Sequence, residues 1–355
     1  AFAVMSLIIC IATLLDSSSG AATVTTPSSF TSTFAPDFST ISLIVAPPLP
    51  ITVAISFDLI RRRGLPHTRL TLFGAWWLAM ELLGVITAFF LWIAFAPGGR
   101  LLNKRSQRSH SQLQSLWARS LAFGARYTIG LRWSVIGSEC LVPRGPLVVL
   151  ARHGSQGDAL LTAALLSREG RRLRFVLKKQ LLADPCLDIV GHRIPNYFVN
   201  RDSFDNRDEL TNISKLAKDI GDDEALVIFP EGTRFSPTKL VNAISALDAT
   251  APSRAKSARK LNRVLPIRTA GTLSALSVTA ADIVFCNHVG IQDISSFSQL
   301  RDSVPLKATL RFKLWRCSRP EVPPISKEED FVDWLDQQWV TVDEWVSEND
   351  NSELS

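Results

Sequence analysis

Residues 70–96, LTLFGAWWLAMELLGVITAFFLWIAFA, constrain this chain more than any other stretch. Glu81 is the only charged residue in the run. A helix that long and that apolar has to leave water, either into lipid or into protein. The run has the length of a tilted helix crossing the roughly 30 Å hydrocarbon layer of a bilayer. Trp76, Trp77 and Trp92 lie towards its ends, where interface anchors belong. Glu81 is costly in lipid unless it faces protein or water. The alternative is a buried helical hairpin in a soluble core. Arg61, Arg62, Arg63 and Arg69 flank one end, and Arg100, Lys104, Arg105 and Arg108 flank the other. Positive charge on both sides sets no orientation. A hairpin dipping into one leaflet, with both ends cytoplasmic, satisfies both clusters.

Upstream, residues 1–15 are apolar but short for a span, and fit a remnant of a signal-like segment or of a first transmembrane helix. Residues 16–41, rich in Ser, Thr, Ala and Pro, read as a linker. Residues 42–60 are apolar but carry Pro47, Pro48 and Pro50, so a kinked or re-entrant segment is as plausible as a straight span. The chain opens on Ala1 rather than Met, which leaves open a segment before it. Three regions result: 1–41 as apolar segment and linker, 42–97 as membrane-associated helices or hairpin, and 98–355 as the catalytic domain.

From about residue 110 the pattern changes. PLVVL (146–150), LRFVL (173–177), YFVN (197–200), ALVIF (225–229) and VLPI (264–267) are short apolar strand candidates. Helical stretches separate several of them. In 205–220, Leu210, Ile213, Leu216, Ala217 and Ile220 recur at helical spacing. LKATLRFKL (306–314) alternates as a half-buried strand does. Residues 328–347 make an amphipathic helix with Phe331, Trp334, Leu335, Trp339 and Val342 on its apolar side. Strands alternating with helices indicate an α/β domain.

The net charge of +6 suits an anionic partner: lipid headgroups, a phosphorylated substrate or nucleic acid. No nucleic-acid recognition motif accompanies it, so no nucleic-acid partner is expected. No P-loop or G-x-G-x-x-G occurs, which removes support for nucleotide hydrolysis and dinucleotide redox chemistry. The five cysteines form no CxxC and no zinc-ligand spacing, so reduced thiols and no metal are expected.

VVLARHGSQGDALL (148–161) runs from a strand through a Gly-containing turn into a helix. Sites form at such strand ends. Asp158, near the helix start, can accept from one imidazole nitrogen of His153 and leave the other as a general base. The spacing alone also fits an N-cap Asp and an ordinary loop His. In VIFPEGTRFS (227–236) a strand ends at Pro230 and Glu231-Gly232-Thr233-Arg234 turn. Gly permits close backbone approach, Thr offers a hydroxyl and Arg a fork that suits phosphate.

In this order the two motifs resemble those of the glycerolipid acyltransferase family, the membrane-bound enzymes that acylate glycerol-3-phosphate and lysophospholipids. His153 and Asp158 match its H-x4-D, and Phe229 to Arg234 match its F-P-E-G-T-R in full. GHRIPNYFVNRD (191–202) loosely fits the middle motif with Arg201 at the Arg position, and VLPIRTAGT (264–272) supplies the Pro of the fourth, Pro266. The resemblance spans roughly residues 110–345. Arg152 departs from the Asn or Ser common before the motif His, and is expected to alter contacts beside the base.

The resemblance implies a mixed central sheet flanked by helices, with an N-terminal membrane-embedded helical segment. It implies His153 as the base on the acceptor hydroxyl, with Asp158 orienting it. Arg201, Glu231, Gly232, Thr233, Arg234 and Pro266 are implied on the substrate side. The reaction implied is transfer of a fatty acyl group from acyl-CoA or acyl carrier protein to a lysophospholipid, foremost 1-acylglycerol-3-phosphate, giving phosphatidate. No cofactor beyond that thioester donor is implied. A lysophospholipid or lysocardiolipin remodelling enzyme, and a non-catalytic lipid-binding scaffold, are the alternatives. The partners are the bilayer, the acceptor and the donor, with the catalytic domain facing the cytoplasm.

Three further expectations concern single groups. No acyl-enzyme is required, so Cys140 and Cys186 read as packed thiols. Backbone N–H groups near Gly154–Asp158 are candidates for the oxyanion. The basic run Arg168, Arg171, Arg172, Arg174, Lys178 and Lys179 fits either the phosphates of coenzyme A or anionic lipid, or a solvated helix face. His192 and His288 lack a partner motif and read as structural.

Overall fold

A computed structural model describes residues 51, 53–56, 65–155, 157–199, 207–292, 294 and 297–350. The expected segment 1–41, most of 42–60, Arg61–Arg63 and Arg201 fall outside the described residues. From residue 65 the order is α1 (Pro66–Phe95), α2 (Lys104–Thr128), β1 (Arg132–Ile136), β2 (Leu147–Ala151), α3 (Asp158–Arg168), β3 (Arg172–Lys178), α4 (Pro185–Gly191) and β4 (Tyr197–Val199). Then come α5 (Arg207–Ala217), β5 (Glu224–Ile228), α6 (Pro237–Thr250), α7 (Pro252–Ala258), α8 (Thr269–Leu276), β6 (Asp282–Val289), α9 (Phe297–Ser303), β7 (Thr309–Cys317) and α10 (Glu328–Asn349).

The strands form one mixed sheet in the order β1-β7-β6-β2-β5-β3-β4. β2 pairs in parallel with both β5 and β6, and β7 runs antiparallel to β6. Every residue of β2 and of β5 is buried. Apolar runs without alternation fold this way because helices cover both faces of a parallel sheet. The faces sort by parity. Leu147, Val149 and Ala151 join a core with α2 and α3, while Val148 and Leu150 join a second core with α5, α8 and α10. Leu310, Phe312 and Leu314 are buried as the alternation in 306–314 requires.

VLPI (264–267) is not a strand. The N–H groups of Val264 and Leu265 donate to the carboxylates of Asp343 and Glu231 instead of a neighbouring strand. Pro266 has no N–H to give a ladder.

α1 is long and apolar enough, by length and composition, to cross a membrane, yet only 17% of its most apolar window is buried. One side packs on α2 and α4. Trp76 Nε1 donates to the Ser120 carbonyl at 2.9 Å. A Cβ on Gly124 would stand 2.1 Å from the Trp76 ring, so glycine there permits this approach. Trp77 meets Trp117 edge-on, with ring centroids 6.2 Å apart. Trp76 and Trp77 are therefore helix–helix contacts rather than the expected interface anchors, whereas Trp92 is exposed. Glu81 faces protein. It accepts from Trp117 Nε1 at 2.9 Å and from the Cys186 N–H at 3.2 Å. The other side of α1 leaves Leu78, Leu82, Leu83, Phe89, Phe90 and Ile93 exposed.

Candidate active site

Because β2 and β5 are parallel neighbours, both motifs leave the sheet at the same edge. His153 lies two residues past β2 and Pro230 two past β5. Glu231 joins them. Its Oε1 accepts the His153 N–H at 2.7 Å, and its Oε2 accepts the Leu265 N–H at 2.9 Å. The Phe235 N–H returns to the His153 carbonyl at 3.3 Å. One carboxylate thus pins the H-x4-D loop, the F-P-E-G-T-R turn and the segment bearing Pro266 together. The expected role of Glu231 at the substrate is corrected here. It is 2% exposed and both of its oxygens are taken by backbone. Burial pushes its carboxyl up to about 7, against the pull of Arg152 and of the two N–H groups.

Arg152 does alter contacts beside the base, and it does so from inside the protein. It is 2% exposed and points its guanidinium into the protein, donating to the His288 carbonyl at 2.6 Å and the Arg263 carbonyl at 3.2 Å. It supplies positive charge to buried Glu231 rather than shaping the approach to the imidazole.

The imidazole of His153 meets Asp158 as expected, Nδ1 to Oδ2 at 3.0 Å. That contact requires the proton on Nδ1, which leaves Nε2 as the basic nitrogen. Asp158 is fully buried and is the first residue of α3, where the helix dipole favours an anion. It does more than start a helix. Oδ2 also accepts the Ser155 N–H at 2.8 Å, and Oδ1 accepts the Ser155 hydroxyl. His288 Nε2 stands 3.0 Å from Oδ1, an ion-pair distance without the alignment of a hydrogen bond. Burial alone would raise the Asp158 carboxyl. The fields of His288 and His153 and their polar contacts overcome it and hold the group well below the usual carboxylate range. The His153 side chain keeps 17% exposure, so the base reaches solvent while its partner does not. The Ser155 and Gly157 N–H groups are engaged within the turn, so they are not the expected oxyanion donors.

Beyond Glu231 the turn gathers cations. Gly232 takes φ +67, and a Cβ there would meet Arg268 Nε at 3.1 Å. Lys239 Nζ donates to Thr233 Oγ1 and to the Arg234 carbonyl, each at 3.0 Å. Arg234 is half-buried, and its guanidinium makes no ion pair with a described carboxylate. Lys239 and Arg268 therefore adjoin the turn that carries Arg234, which places three cationic residues at one turn, a composition suited to phosphate.

The structure brings His153 and Asp158 together, joins them through Glu231 to the turn of Gly232, Thr233 and Arg234, and sets Pro266 next to Leu265, whose N–H the same carboxylate accepts. Sequence reasoning missed Ser155, Lys239, Arg268 and the contact of His288. The basic run is corrected as well. Arg172 pairs with Asp223 and Glu224, Arg174 pairs with Glu224, and Arg171 donates to the Leu141 and Gly145 carbonyls. These three arginines brace the strand edge. Burial pushes the thiols of Cys140 and Cys317 up to about 11, and those of Cys186 and Cys286 up to about 12. Such groups are packed thiols at neutral pH. A cavity of about 1000 Å³ lies elsewhere, lined by Trp76, Phe123, Trp133 and Arg168 among others and by none of the site residues.

Residues 132–251, which hold both motifs, match the family model described as Acyltransferase. The chain is also similar to the crystal structure of the 1-acyl-sn-glycerophosphate (LPA) acyltransferase PlsC from Thermotoga maritima. The two are 13% identical with a TM-score of 0.44, over 74% of this chain and 96% of that one.

Proposed function

We propose that this protein is an acyltransferase, moving a fatty acyl group from a thioester donor to the free hydroxyl of a lysophospholipid. The foremost acceptor is 1-acylglycerol-3-phosphate, and the product is then phosphatidate. The carrying observation is the Asp158-held imidazole of His153, joined through Glu231 to the turn that bears Arg234 and is flanked by Lys239 and Arg268. The cations bind the acceptor phosphate and so bring its hydroxyl to His153. His153 Nε2 takes the hydroxyl proton as the oxygen attacks the thioester carbonyl carbon. The carbon–sulfur bond breaks, and the imidazolium returns the proton to the leaving thiolate. Asp158 stabilises the imidazolium in between. No enzyme-bound acyl group forms, in keeping with the raised thiol pKa values.

Acyl-CoA or acyl carrier protein supplies the acyl group. The exposed apolar side of α1, together with exposed Leu116, Phe123 and Tyr127 on α2, lies in the membrane that holds acceptor and product. The site then faces the cytoplasm, where soluble thioesters are. Replacing His153 by Ala should lower acyl transfer by roughly 10²–10⁴-fold, the usual share of a general base, with thermal melting unchanged. Unaltered turnover in a folded His153→Ala protein rules the mechanism out.

A further inference from the structure

We propose that His288 is a positioning residue for this reaction, holding the Asp158 carboxylate from the oxygen that His153 does not use. The proposal rests on the reading of His153 as the base. β6 lies beside β2 in parallel register, with Cys286 opposite Ala151. Two residues further on, His288 is level with His153. The side chain is 1% exposed, and its Nε2 is 3.0 Å from Asp158 Oδ1 while His153 Nδ1 is 3.0 Å from Oδ2. At that distance Nε2 must present its proton, since a lone pair facing the carboxylate would be repelled.

Among the described residues no other polar group accounts for this histidine, and neither ring nitrogen makes an aligned hydrogen bond with any of them, although the ring is buried. A buried imidazole without a partner is unfavourable, and a hydrophobic residue would fill the space at less cost. The ring packs against Phe312 with centroids 5.7 Å apart, and its own carbonyl is held by Arg152. That mounting fixes the ring where its polar edge can address Asp158.

The consequence falls on His153. Ser155 and the two imidazoles approach both carboxylate oxygens, so the group cannot turn away from Nδ1. A carboxylate fixed in charge and angle keeps His153 in the tautomer with Nε2 free, and stabilises the imidazolium when it forms. His288 does not touch the substrate in this account. It acts through Asp158.

The test is a double-mutant cycle on the full-length protein, with kcat, acceptor KM and melting temperature measured for each variant. His288→Ala should lower kcat by roughly 10- to 100-fold with KM changed less than about twofold. His288→Gln, which keeps an N–H donor, should recover part of that loss. In an Asp158→Asn background, His288→Ala should lower kcat by less than about threefold, because the group it positions is already gone. Unchanged kcat in His288→Ala, or the same loss in both backgrounds, overturns the proposal. An NMR readout tests it without turnover. The His153 Nδ1–H resonance should move upfield in His288→Ala and less in His288→Gln, and an unmoved resonance contradicts the contact's role. Wild-type protein inactive on every acceptor would instead refute the proposed reaction, while the resonance still reports on His288.

Discussion

Glu231 shows how a single residue orders the site. Its two oxygens take N–H groups from two different segments. Gln at this position offers one carbonyl oxygen and turns its NH₂ towards the other N–H. Glu231→Gln should therefore destabilise the protein by roughly 1–3 kcal/mol, the cost of a buried donor left unpaired. The pH dependence follows from burial, which lifts the carboxyl from its ordinary 4.5 to about 7. Between those values the folded protein keeps a proton that the unfolded chain releases. The stability tied to this group is thus fully present below about 4.5 and is lost as pH rises towards 7. Comparing melting temperatures at the two pH values should show a smaller difference in Glu231→Gln than in wild type. An unchanged difference counts against Glu231 as the source. His153, Asp158 and the F-P-E-G-T-R turn were legible because each motif is contiguous in the chain. His288 and Arg268 were not, since their places depend on which strands become neighbours. Glu231 was visible as a letter of a motif, but its inward role depends on Leu265, which no spacing rule connects to it.

At the scale of elements, α10 carries the site from behind. Asp343 Oδ1 accepts the N–H groups of Asn262, Arg263 and Val264, and Trp339 Nε1 donates to the Leu265 carbonyl at 2.9 Å. The irregular segment before α8 therefore has its backbone satisfied by a helix at the chain's far end. Asp343→Ala leaves those donors without their acceptor, the buried Val264 N–H among them, and should lower stability by roughly 1–3 kcal/mol in chemical denaturation. The same variant should raise the acceptor KM, because Leu265 and Glu231 lose their support. A stable Asp343→Ala protein with normal KM would separate α10 from the site. The apolar stripe of α10 was plain in the sequence, whereas Asp343 looked like one acid among several on a helix. The same blindness produced the mistaken strand at VLPI. Its residues suit a strand, but side-chain carboxylates took the N–H groups a ladder would have used. β6 escaped notice because buried Asn287 and His288 interrupt its apolar run.

On the scale of the whole molecule, alternating helices and apolar strands indicated an α/β domain, the resemblance implied a mixed central sheet flanked by helices, and the seven-stranded sheet with a core on each face bears both out. The order of strands was not readable, because pairing depends on contacts between distant segments. The apolar length of α1 was readable, but the packing of Trp76 and Trp77 on α2 was not, since an indole ring suits lipid and protein alike. Phe89 and Phe90 are exposed on the side of α1 away from α2 and α4. Replacing both with Asp should weaken vesicle binding at least roughly tenfold in flotation, because each acid would have to enter hydrocarbon. Undiminished flotation would move the membrane contact elsewhere. The central claim concerns the chemistry at His153. Purified protein, incubated with isotope-labelled acyl-CoA or acyl carrier protein and a panel of lysophospholipids, is read by product mass. The account predicts labelled diacyl product, foremost phosphatidate from 1-acylglycerol-3-phosphate, with almost none from His153→Ala. Wild-type protein that forms no acylated lipid from any acceptor, or His153→Ala protein that forms as much, would contradict it.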